Sequence, residues 1–288
     1  MNKTKIEWCD STWNPVTGCL NNCPYCYARK QAKRFGGWVY TPGCARLNVS
    51  GDKTFICTGK DYYGDVKETE YGKIAEISSW GSFMKSSTNR DGWEISVKAP
   101  YPFGFTPTFH KYRLDEPAKL KKPSTIFVCS MADLFGDWVP DEWIGEVFKA
   151  CEAAPQHRYL FLTKNPKRYI ELFNKEILKP QGNIWYGVTI TSQNDYDKLH
   201  ELYKMFPRQI NLFVSVEPIQ EKIIFKLLPD WVIIGAETGK RKNKVIPNRE
   251  WIENIVSRCV NNLIPVFMKN SLADIWGKPL IQEFPWRE

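Results

Sequence analysis

The sequence predicts an α/β fold in which a parallel sheet closes partway into a (β/α) barrel. Three observations predict it: apolar runs recur from residue 125 onward, amphipathic helical patterns separate them, and the connecting loops are short. Runs that lack polar alternation are typical of strands buried on both faces, as in parallel sheets. An open or partial barrel fits this repeat better than a doubly wound sheet, although periodicity alone does not choose between them.

Strands and helices alternate along the second part of the chain. The apolar runs lie at Thr125–Cys129, Tyr159–Thr163, Ile184–Ile190, Leu212–Val216, Trp231–Gly235 and Ile264–Met268. A first strand near Thr12–Thr17 brings the total to about seven, and a helix is predicted over Tyr27–Phe35. Amphipathic stripes at 143–151, 169–177, 196–206 and 251–259 are the core faces of the intervening helices.

The domain organisation follows from where this rhythm breaks. Residues 1–36 supply the first strand, a cysteine-rich loop and the first helix, and residues 111–288 supply the rest of the barrel. Residues 37–110 are rich in Gly, Tyr, Trp, Ser and Thr without a clear period, which predicts an irregular insertion of hairpins and loops after the first helix. Such an insertion is either a lid over the substrate or a packing extension.

Bulk properties restrict the class of protein. The chain has 288 residues, a net charge of +8 and 25% charged residues, which is a globular composition. Its first residues lack the apolar run of a signal peptide, and no stretch approaches the length of a membrane span. We therefore expect a cytoplasmic, reducing location and no membrane partner.

Three cysteines carry the strongest functional signal. Cys19, Cys23 and Cys26 have the spacing C-x3-C-x2-C, so one short loop can direct three thiolates at an iron–sulfur cluster. A [4Fe-4S] cluster held by three cysteines keeps one iron open for a small chelating molecule. The alternatives are a zinc knuckle, which wants a fourth nearby ligand, or three buried thiols. Other cysteines that lack tight spacing with these three are Cys9, Cys44 and Cys57.

Polar residues follow the predicted strands at the end where barrel enzymes gather their chemistry. The candidates for binding a cofactor are Ser130, Asp133, Lys164, Thr189, Ser192, Glu217 and Glu237. The alternative for each is a salt bridge or a helix cap, and Asp133, Ser192 and Asn248 are plausible caps. No single residue can be assigned as catalytic.

The cysteine motif, with an aromatic residue directly after its third cysteine, resembles the radical S-adenosylmethionine (SAM) superfamily. Several further segments together resemble one phage-associated, uncharacterised branch of it. They are Lys5–Trp8, Thr12–Cys19, Cys26–Ala28, Arg34–Gly36, Phe127–Phe135, Leu162–Lys164, Ser215–Pro218 and Trp231–Gly239. The resemblance covers nearly the whole chain except about residues 37–100 and implies a partial barrel of the radical SAM type.

The resemblance also implies cofactors and partners. The open iron of a [4Fe-4S] cluster would bind SAM, and an external donor such as a flavodoxin or ferredoxin would supply the electron. SAM cleavage would then give a 5′-deoxyadenosyl radical that abstracts hydrogen from an unidentified substrate. Glu217 and Glu237 would accept hydrogen bonds from SAM, whereas Lys164 would pair with a carboxylate or an anionic substrate.

Charge placement gives a weak lean towards a nucleic acid or nucleotide as substrate. One basic group is Lys164, Lys167 and Arg168, and a second follows a later strand at 240–244, whereas Lys119, Lys121 and Lys122 precede a strand and belong to the opposite face. A solvated basic loop is an equally good interpretation of 240–244. The alternative functions are an iron–sulfur or zinc protein that binds nucleic acid without radical chemistry, and a module that uses the metal only to fold.

Overall fold

A computed structural model describes residues 1–35, 64–77, 84–88, 92, 94–98, 100–207, 209–226 and 229–287. The chain forms two compact units, and it passes between them more than once. Unit 1 comprises Met1, Trp13–Lys121 and Cys129–Ala154, and unit 2 comprises Asn2–Thr12, Lys122–Val128 and Pro155–Glu288. Within the described ranges, no helix combines the length and apolar character that a membrane span requires.

The largest sheet lies mostly in unit 2 and has eight strands in the order β1-β2-β9-β10-β11-β12-β13-β14. Its strands are β1 (Asn2–Lys3), β2 (Ser11–Trp13), β9 (Thr125–Val128), β10 (Arg158–Thr163), β11 (Ile184–Ile190), β12 (Asn211–Val216), β13 (Trp231–Ile234) and β14 (Val266–Met268). Seven strands form a parallel half-barrel, and β1 adds to its edge antiparallel to β2. The predicted partial barrel of about seven parallel strands is therefore present.

Helices separate most of the parallel strands of unit 2, as the predicted alternation requires. Helix α4 (Pro166–Asn174) follows β10, α5 (Gln193–Leu202) follows β11, and α6 (Arg249–Val260) lies between β13 and β14. None of the described residues between β12 and β13 is helical, and the short α7 (Ala273–Trp276) follows the last strand. The predicted apolar stripes supply their buried residues, for example Ile252, Ile255 and Cys259 of α6. Helix α5 ends earlier than its stripe, which continues through a 3₁₀ turn at Tyr203–Met205.

One face of the parallel strands is filled with aromatic side chains. The buried cluster there contains Trp8, Phe127, Leu160, Trp185, Phe213, Trp231, Ile233 and Phe267. Gly187 of β11 makes room for the Phe213 ring, which any Cβ at this position would overlap. Near the end of the chain, Trp286 packs against both Trp185 and Trp231 with ring centroids 5.1 Å apart in each case. The core of unit 2 therefore draws on both the first and the last residues of the chain.

Unit 1 contains the cysteine loop and the described part of the predicted insertion. A four-stranded sheet has the order β3-β8-β5-β4, and a separate hairpin pairs β6 with β7. The elements are β3 (Val16–Thr17), α1 (Tyr27–Phe35), β4 (Gly64–Thr69), β5 (Gly72–Ile77), β6 (Met84–Thr88), β7 (Glu94–Lys98), β8 (Thr108–His110), α2 (Glu116–Lys119) and α3 (Asp141–Glu152). The antiparallel pairs β4–β5 and β6–β7 are hairpins, as predicted for this region.

The predicted first strand, Thr12–Thr17, is divided into two strands that belong to different sheets. Strand β2 joins the parallel sheet, whereas β3 pairs antiparallel with β8. Pro15 lies between them; it has no backbone N–H to offer a ladder, and its carbonyl accepts a bond from the His110 N–H at 2.7 Å. The break between β2 and β3 therefore falls at a residue that has no N–H group to continue the hydrogen bonds of β2 with the parallel sheet.

Candidate metal centre

The three cysteines occupy one loop of unit 1, between β3 and α1. The loop starts at Gly18, whose φ of +84° is a left-handed value. A Cβ at Gly18 would overlap the carbonyl group of Thr106, so only glycine fits. Cys19, Cys23 and Cys26 are all half-buried free thiols. The described structure therefore presents three reduced sulfur atoms on a single exposed loop.

Backbone N–H groups donate to two of these sulfur atoms. The Asn21 N–H lies 3.4 Å from Cys19 Sγ, and the Arg29 N–H at the start of α1 lies 3.3 Å from Cys26 Sγ. Hydrogen bonds of this kind stabilise negative charge on sulfur and are among the interactions that tune iron–sulfur clusters. The local backbone is thus suited to thiolates as well as to thiols.

Burial, the Asp133 carboxylate and the neighbouring thiols Cys23 and Cys26 raise the pKa of Cys19 to about 12, against the lowering effect of the Asn21 N–H. This thiol is therefore protonated at neutral pH without a cation. Metal coordination removes the proton from a cysteine outright, so binding iron or zinc here would release it.

A cationic side chain lies behind the loop. The Arg29 guanidinium donates to the Cys19 carbonyl at 3.3 Å and stacks 5.0 Å from the centre of the Phe105 ring. Its Nε is buried and has no hydrogen-bond partner in the described structure. Arg29 thus fixes the first cysteine by its backbone and brings positive charge close to the ligand loop.

Asp133 and Ser130, two of the predicted site residues, contact the same loop and helix. Asp133 is 5% exposed; its Oδ2 accepts from the Asn21 amide at 2.9 Å, and its Oδ1 accepts from the Phe135 N–H at 3.2 Å. The Ser130 carbonyl accepts from the Tyr27 hydroxyl at 2.6 Å. Asp133 therefore supports the cysteine loop, and Ser130 supports the start of α1.

A single-ion site is not preformed in the described residues. No group of three or more His, Cys, Asp or Glu side chains among them is arranged to hold one metal ion. A cubane cluster poses a different requirement, because each thiolate binds a different iron, whereas a single ion would have to be reached by all three sulfur atoms. Cys9 is half-buried in unit 2, and Cys44 and Cys57 lie outside the described residues.

The other predicted residues belong to unit 2, at or beyond the carboxyl ends of its strands. On β12, Phe213 lies in the aromatic core, and Ser215 and Glu217 follow it at the two-residue period of a strand. The Ser215 hydroxyl and Oε1 of Glu217 are buried without a hydrogen-bond partner in the described structure. Buried polar atoms left in this state are candidates for contact with a ligand.

Glu217 forms an ion pair with Lys269, which follows β14. The Lys269 ammonium lies 2.6 Å from Oε2 of Glu217, and their side chains are 24% and 22% exposed. Burial alone would lower the pKa of Lys269, but the charge and hydrogen bond of Glu217, with a further contribution from Glu7, raise it above its ordinary value. Gly235 allows this approach, since a Cβ there would lie 3.1 Å from Lys269 Cδ and 3.3 Å from Glu217 Cγ.

Glu237, after β13, is held by two parallel hydrogen bonds. Nε and Nη2 of Arg241 donate to its two carboxylate oxygens at 2.7 and 2.6 Å. This pairing removes Arg241 from the predicted basic group, whose exposed cations are Lys240, Lys242 and Lys244. In the other predicted basic group, Lys167 and Arg168 both pair with Glu171.

Ser192 is a helix cap. Its hydroxyl accepts from the Asp195 N–H at 3.2 Å, and Oδ2 of Asp195 accepts from the N–H groups of Thr191 and Ser192 at 3.0 and 3.2 Å, which forms a capping box. Burial alone would raise the pKa of Asp195, but these bonds and the Lys164 charge lower it below its ordinary value. Thr189 is half-buried on β11. Asn248 occupies the N-cap position of α6 without a side-chain cap bond.

The predicted residues therefore form two sets. Unit 1 brings together Cys19, Cys23, Cys26, Ser130 and Asp133, whereas unit 2 carries Lys164, Thr189, Ser192, Glu217 and Glu237. The sequence did not single out Arg29 or Asn21, although their closeness to the cysteines is a usable signal. Lys269 was visible as a residue at a strand end, but its partner Glu217 lies 52 residues away.

Comparison with known proteins identifies a family. The family model described as a protein of unknown function (DUF5131) matches residues 3–58 and 83–278. These segments contain the three cysteines and every predicted site residue, and the unmatched stretch between them falls inside the insertion. No curated protein and no solved structure matches the chain. The chain belongs to the DUF5131 family of proteins of unknown function.

Proposed function

We propose that this protein is a radical SAM enzyme that holds a [4Fe-4S] cluster through Cys19, Cys23 and Cys26. The observation that carries the proposal is the cysteine loop itself, with three free, half-buried thiols and N–H groups donating to two of the sulfur atoms. Soft thiolates in this number and spacing fit a cluster that keeps one iron for a second ligand.

When bound, the cluster supplies an electron for cleavage of SAM, which yields methionine and a 5′-deoxyadenosyl radical able to abstract hydrogen from a substrate. The residues of this chain hold the cysteine ligands in place and stabilise their charge. The Asn21 and Arg29 N–H groups stabilise thiolate charge, and the Arg29 guanidinium adds a cation next to the loop. Asp133 fixes the Asn21 side chain and so limits movement of the loop between the first two cysteines.

In unit 2 the carboxylates are already oriented. Lys269 holds one oxygen of Glu217 and leaves Oε1 without a partner in the described structure, so this oxygen can accept a bond from an ammonium or a ribose hydroxyl of SAM. At the next strand end, Arg241 fixes Glu237 by donating to both of its carboxylate oxygens. Lys164 and Thr189 are candidates for contact with a carboxylate or a ribose. We propose these roles for SAM binding and assign no catalytic residue.

Anaerobic purification followed by iron and zinc analysis tests the cluster. We expect a brown protein with about four irons per chain, which forms 5′-deoxyadenosine when dithionite and SAM are added. Cys19→Ala, Cys23→Ala and Cys26→Ala should each abolish bound iron. Cys259→Ala, which removes a buried thiol of α6, is the matched control and should retain it. Stoichiometric zinc without iron, or intact iron in the Cys23→Ala protein, would contradict the proposal.

The exposed lysines at 240, 242 and 244 favour an anionic substrate such as a nucleic acid or nucleotide. The same feature supports the second candidate, an iron–sulfur or zinc protein that binds nucleic acid without radical chemistry. Oligonucleotide binding that weakens steeply with salt, together with no formation of 5′-deoxyadenosine by the reduced protein, would favour that candidate.

A further inference from the structure

Helix α1 differs in charge from the other long helices of the described structure. It carries Arg29, Lys30, Lys33 and Arg34 and has no acidic residue, whereas α3, α4, α5 and α6 each contain both signs. This helix also follows the third cysteine directly, since Tyr27 is its first residue. The most positive helix in the described part of the chain is therefore the one joined to the candidate cluster loop.

Three of the four charges of α1 face outwards. Ala28 and Ala32 are its buried residues, whereas Lys30, Lys33 and Arg34 are exposed. Among the described residues, none of these three cations takes part in an ion pair. Unpaired exposed cations on one helix face create a local positive field that attracts an acidic partner.

Apolar side chains lie among these cations. Leu20 in the cysteine loop is 37% exposed, and Tyr27 and Phe35 at the two ends of α1 are 52% and 40% exposed. A patch with large apolar side chains among positive charges fits a small, transient protein interface, in which charge guides the encounter and apolar contact holds it briefly.

We infer that the exposed face of α1, together with Leu20, is the docking surface for an acidic one-electron donor protein. The inference rests on the proposed function, because a donor is needed only if the cysteine loop holds a reducible cluster. Electron transfer slows steeply with distance, so a donor must dock where the cluster ligands approach the surface. In one docking event the donor loses one electron and the cluster gains one.

A nucleic acid is the other polyanion that such a helix could bind. The donor is favoured because it needs only the outer surface of the loop and of the start of α1, where Leu20 and Tyr27 are exposed. A substrate must instead bring one of its carbon atoms into reach of a radical that is shielded from water. The outward-facing lysines of α1 therefore suit a donor protein, which needs only the outer surface. They do not suit a substrate, which needs a site shielded from water.

The test measures how fast reduced flavodoxin, regenerated by its reductase, reduces the anaerobic holoprotein. The test variant is Lys30→Glu with Lys33→Glu, and the control is Lys121→Glu with Lys122→Glu, which makes the same change in net charge at exposed residues before β9. We expect the first variant to be reduced about tenfold more slowly than the parent protein and the control to stay close to it. Raising the salt concentration from about 0.05 to about 0.5 M should lower the reduction rate of the parent protein towards that of the α1 variant.

Three results separate the possible failures. If dithionite reduces both variants and flavodoxin reduces them at equal rates, the proposed docking surface is wrong. Loss of binding to a labelled oligonucleotide in the α1 variant, with an unchanged rate from flavodoxin, would assign the helix to nucleic acid and overturn the inference. Failure of dithionite to reduce the parent protein would count against the proposed function itself.

Carbodiimide cross-linking tests the docking without any cluster. It joins lysines to carboxylates in direct contact, so peptide mapping should find flavodoxin linked to Lys30 or Lys33. Links confined to Lys121, Lys122 or other lysines would overturn the inference even if the cluster forms as proposed.

Discussion

The Lys269 ammonium meets Oε2 of Glu217 at 2.6 Å across two strand ends, and the glycine between them, Gly235, keeps the space open. Both side chains are more than three-quarters buried, so each depends on the other to offset the loss of water. The second oxygen of Glu217 has no partner in the described structure. The pair therefore holds a carboxylate in a fixed position with one acceptor still available.

Lys269→Met should destabilise the protein because it leaves the Glu217 carboxylate buried and unpaired. We expect a loss of about 2 kcal/mol in the free energy of unfolding, measured by urea denaturation. Adding Glu217→Gln should recover most of that loss. Lys222→Met, which breaks an exposed pair with Glu250, is the control and should leave the urea midpoint unchanged. An equal effect of both single substitutions would show that Glu217 does not depend on Lys269.

Gly18→Ala should displace the cysteine loop. The new Cβ would overlap the Thr106 carbonyl, and alanine would have to adopt the left-handed backbone conformation of Gly18. The left-handed conformation alone costs about 1 kcal/mol of folding free energy. Gly104→Ala is a matched control, because Gly104 has a φ of +61° but open space around its Cβ position. Urea denaturation should show a larger loss for Gly18→Ala, and iron content should fall only in that variant. Similar losses for both would mean that the loop tolerates the contact.

Arg29→Met should shift the reduction potential of the bound cluster to a more negative value, because it removes the cation that lies against the ligand loop. A spectroscopic redox titration of the anaerobic protein measures this shift. Arg34→Met removes an exposed cation at the far end of the same helix and should leave the potential nearly unchanged. A potential that moves equally in both variants would indicate a general charge effect instead.

Asp195→Asn should lower stability at neutral pH but have little effect in acid. The pKa of Asp195 is lower in the folded protein than in the unfolded chain, so its carboxylate stabilises the fold above the unfolded value of about 3.9. That contribution disappears as the pH falls through the lower folded value. We expect a difference of about 1 kcal/mol between parent and variant in urea at pH 7, as for other helix caps, and a smaller difference near pH 3.

Ser192→Ala removes the other half of the capping box and separates its two candidate roles. If Ser192 acts only as a helix cap, the Ser192→Ala protein should lose stability but bind S-adenosylhomocysteine as tightly as the parent protein does, which calorimetry measures. A loss of binding without a loss of stability would instead assign Ser192 to the cofactor.

The sequence was informative where the physical cause is local. Strands β10 to β13 were recognisable because burial on both faces removes polar alternation, and α1 was predicted over the nine residues it occupies. The spacing of Cys19, Cys23 and Cys26 likewise places all three in one loop regardless of the tertiary structure. The division of the first strand at Pro15 was missed, because residues that favour strands stand on both sides of this proline, Thr12 and Trp13 before it and Val16 and Thr17 after it.

Interactions between distant segments could not be predicted from the pattern. The Glu217–Lys269 pair spans 52 residues, and the Asn21–Asp133 bond spans 112. Each residue alone reads as an ordinary polar group at a strand end or in a loop. The end of α5 shows a subtler limit: its apolar stripe continues to Phe206, but Pro207 follows and disfavours helical backbone in the residue before it.

Side chains alternate between the two faces of β12, so Phe213 and Glu217, which follows the strand, lie on the same face. Phe213 fills the core there, and Glu217 supplies the available acceptor. A one-residue deletion in this strand would slip its register and reverse both faces together. Val214 and Val216 would then point at the aromatic cluster, and Phe213 would be driven towards the helices. Insertions and deletions near β12 are therefore tolerable in the loops that flank it rather than within the strand itself.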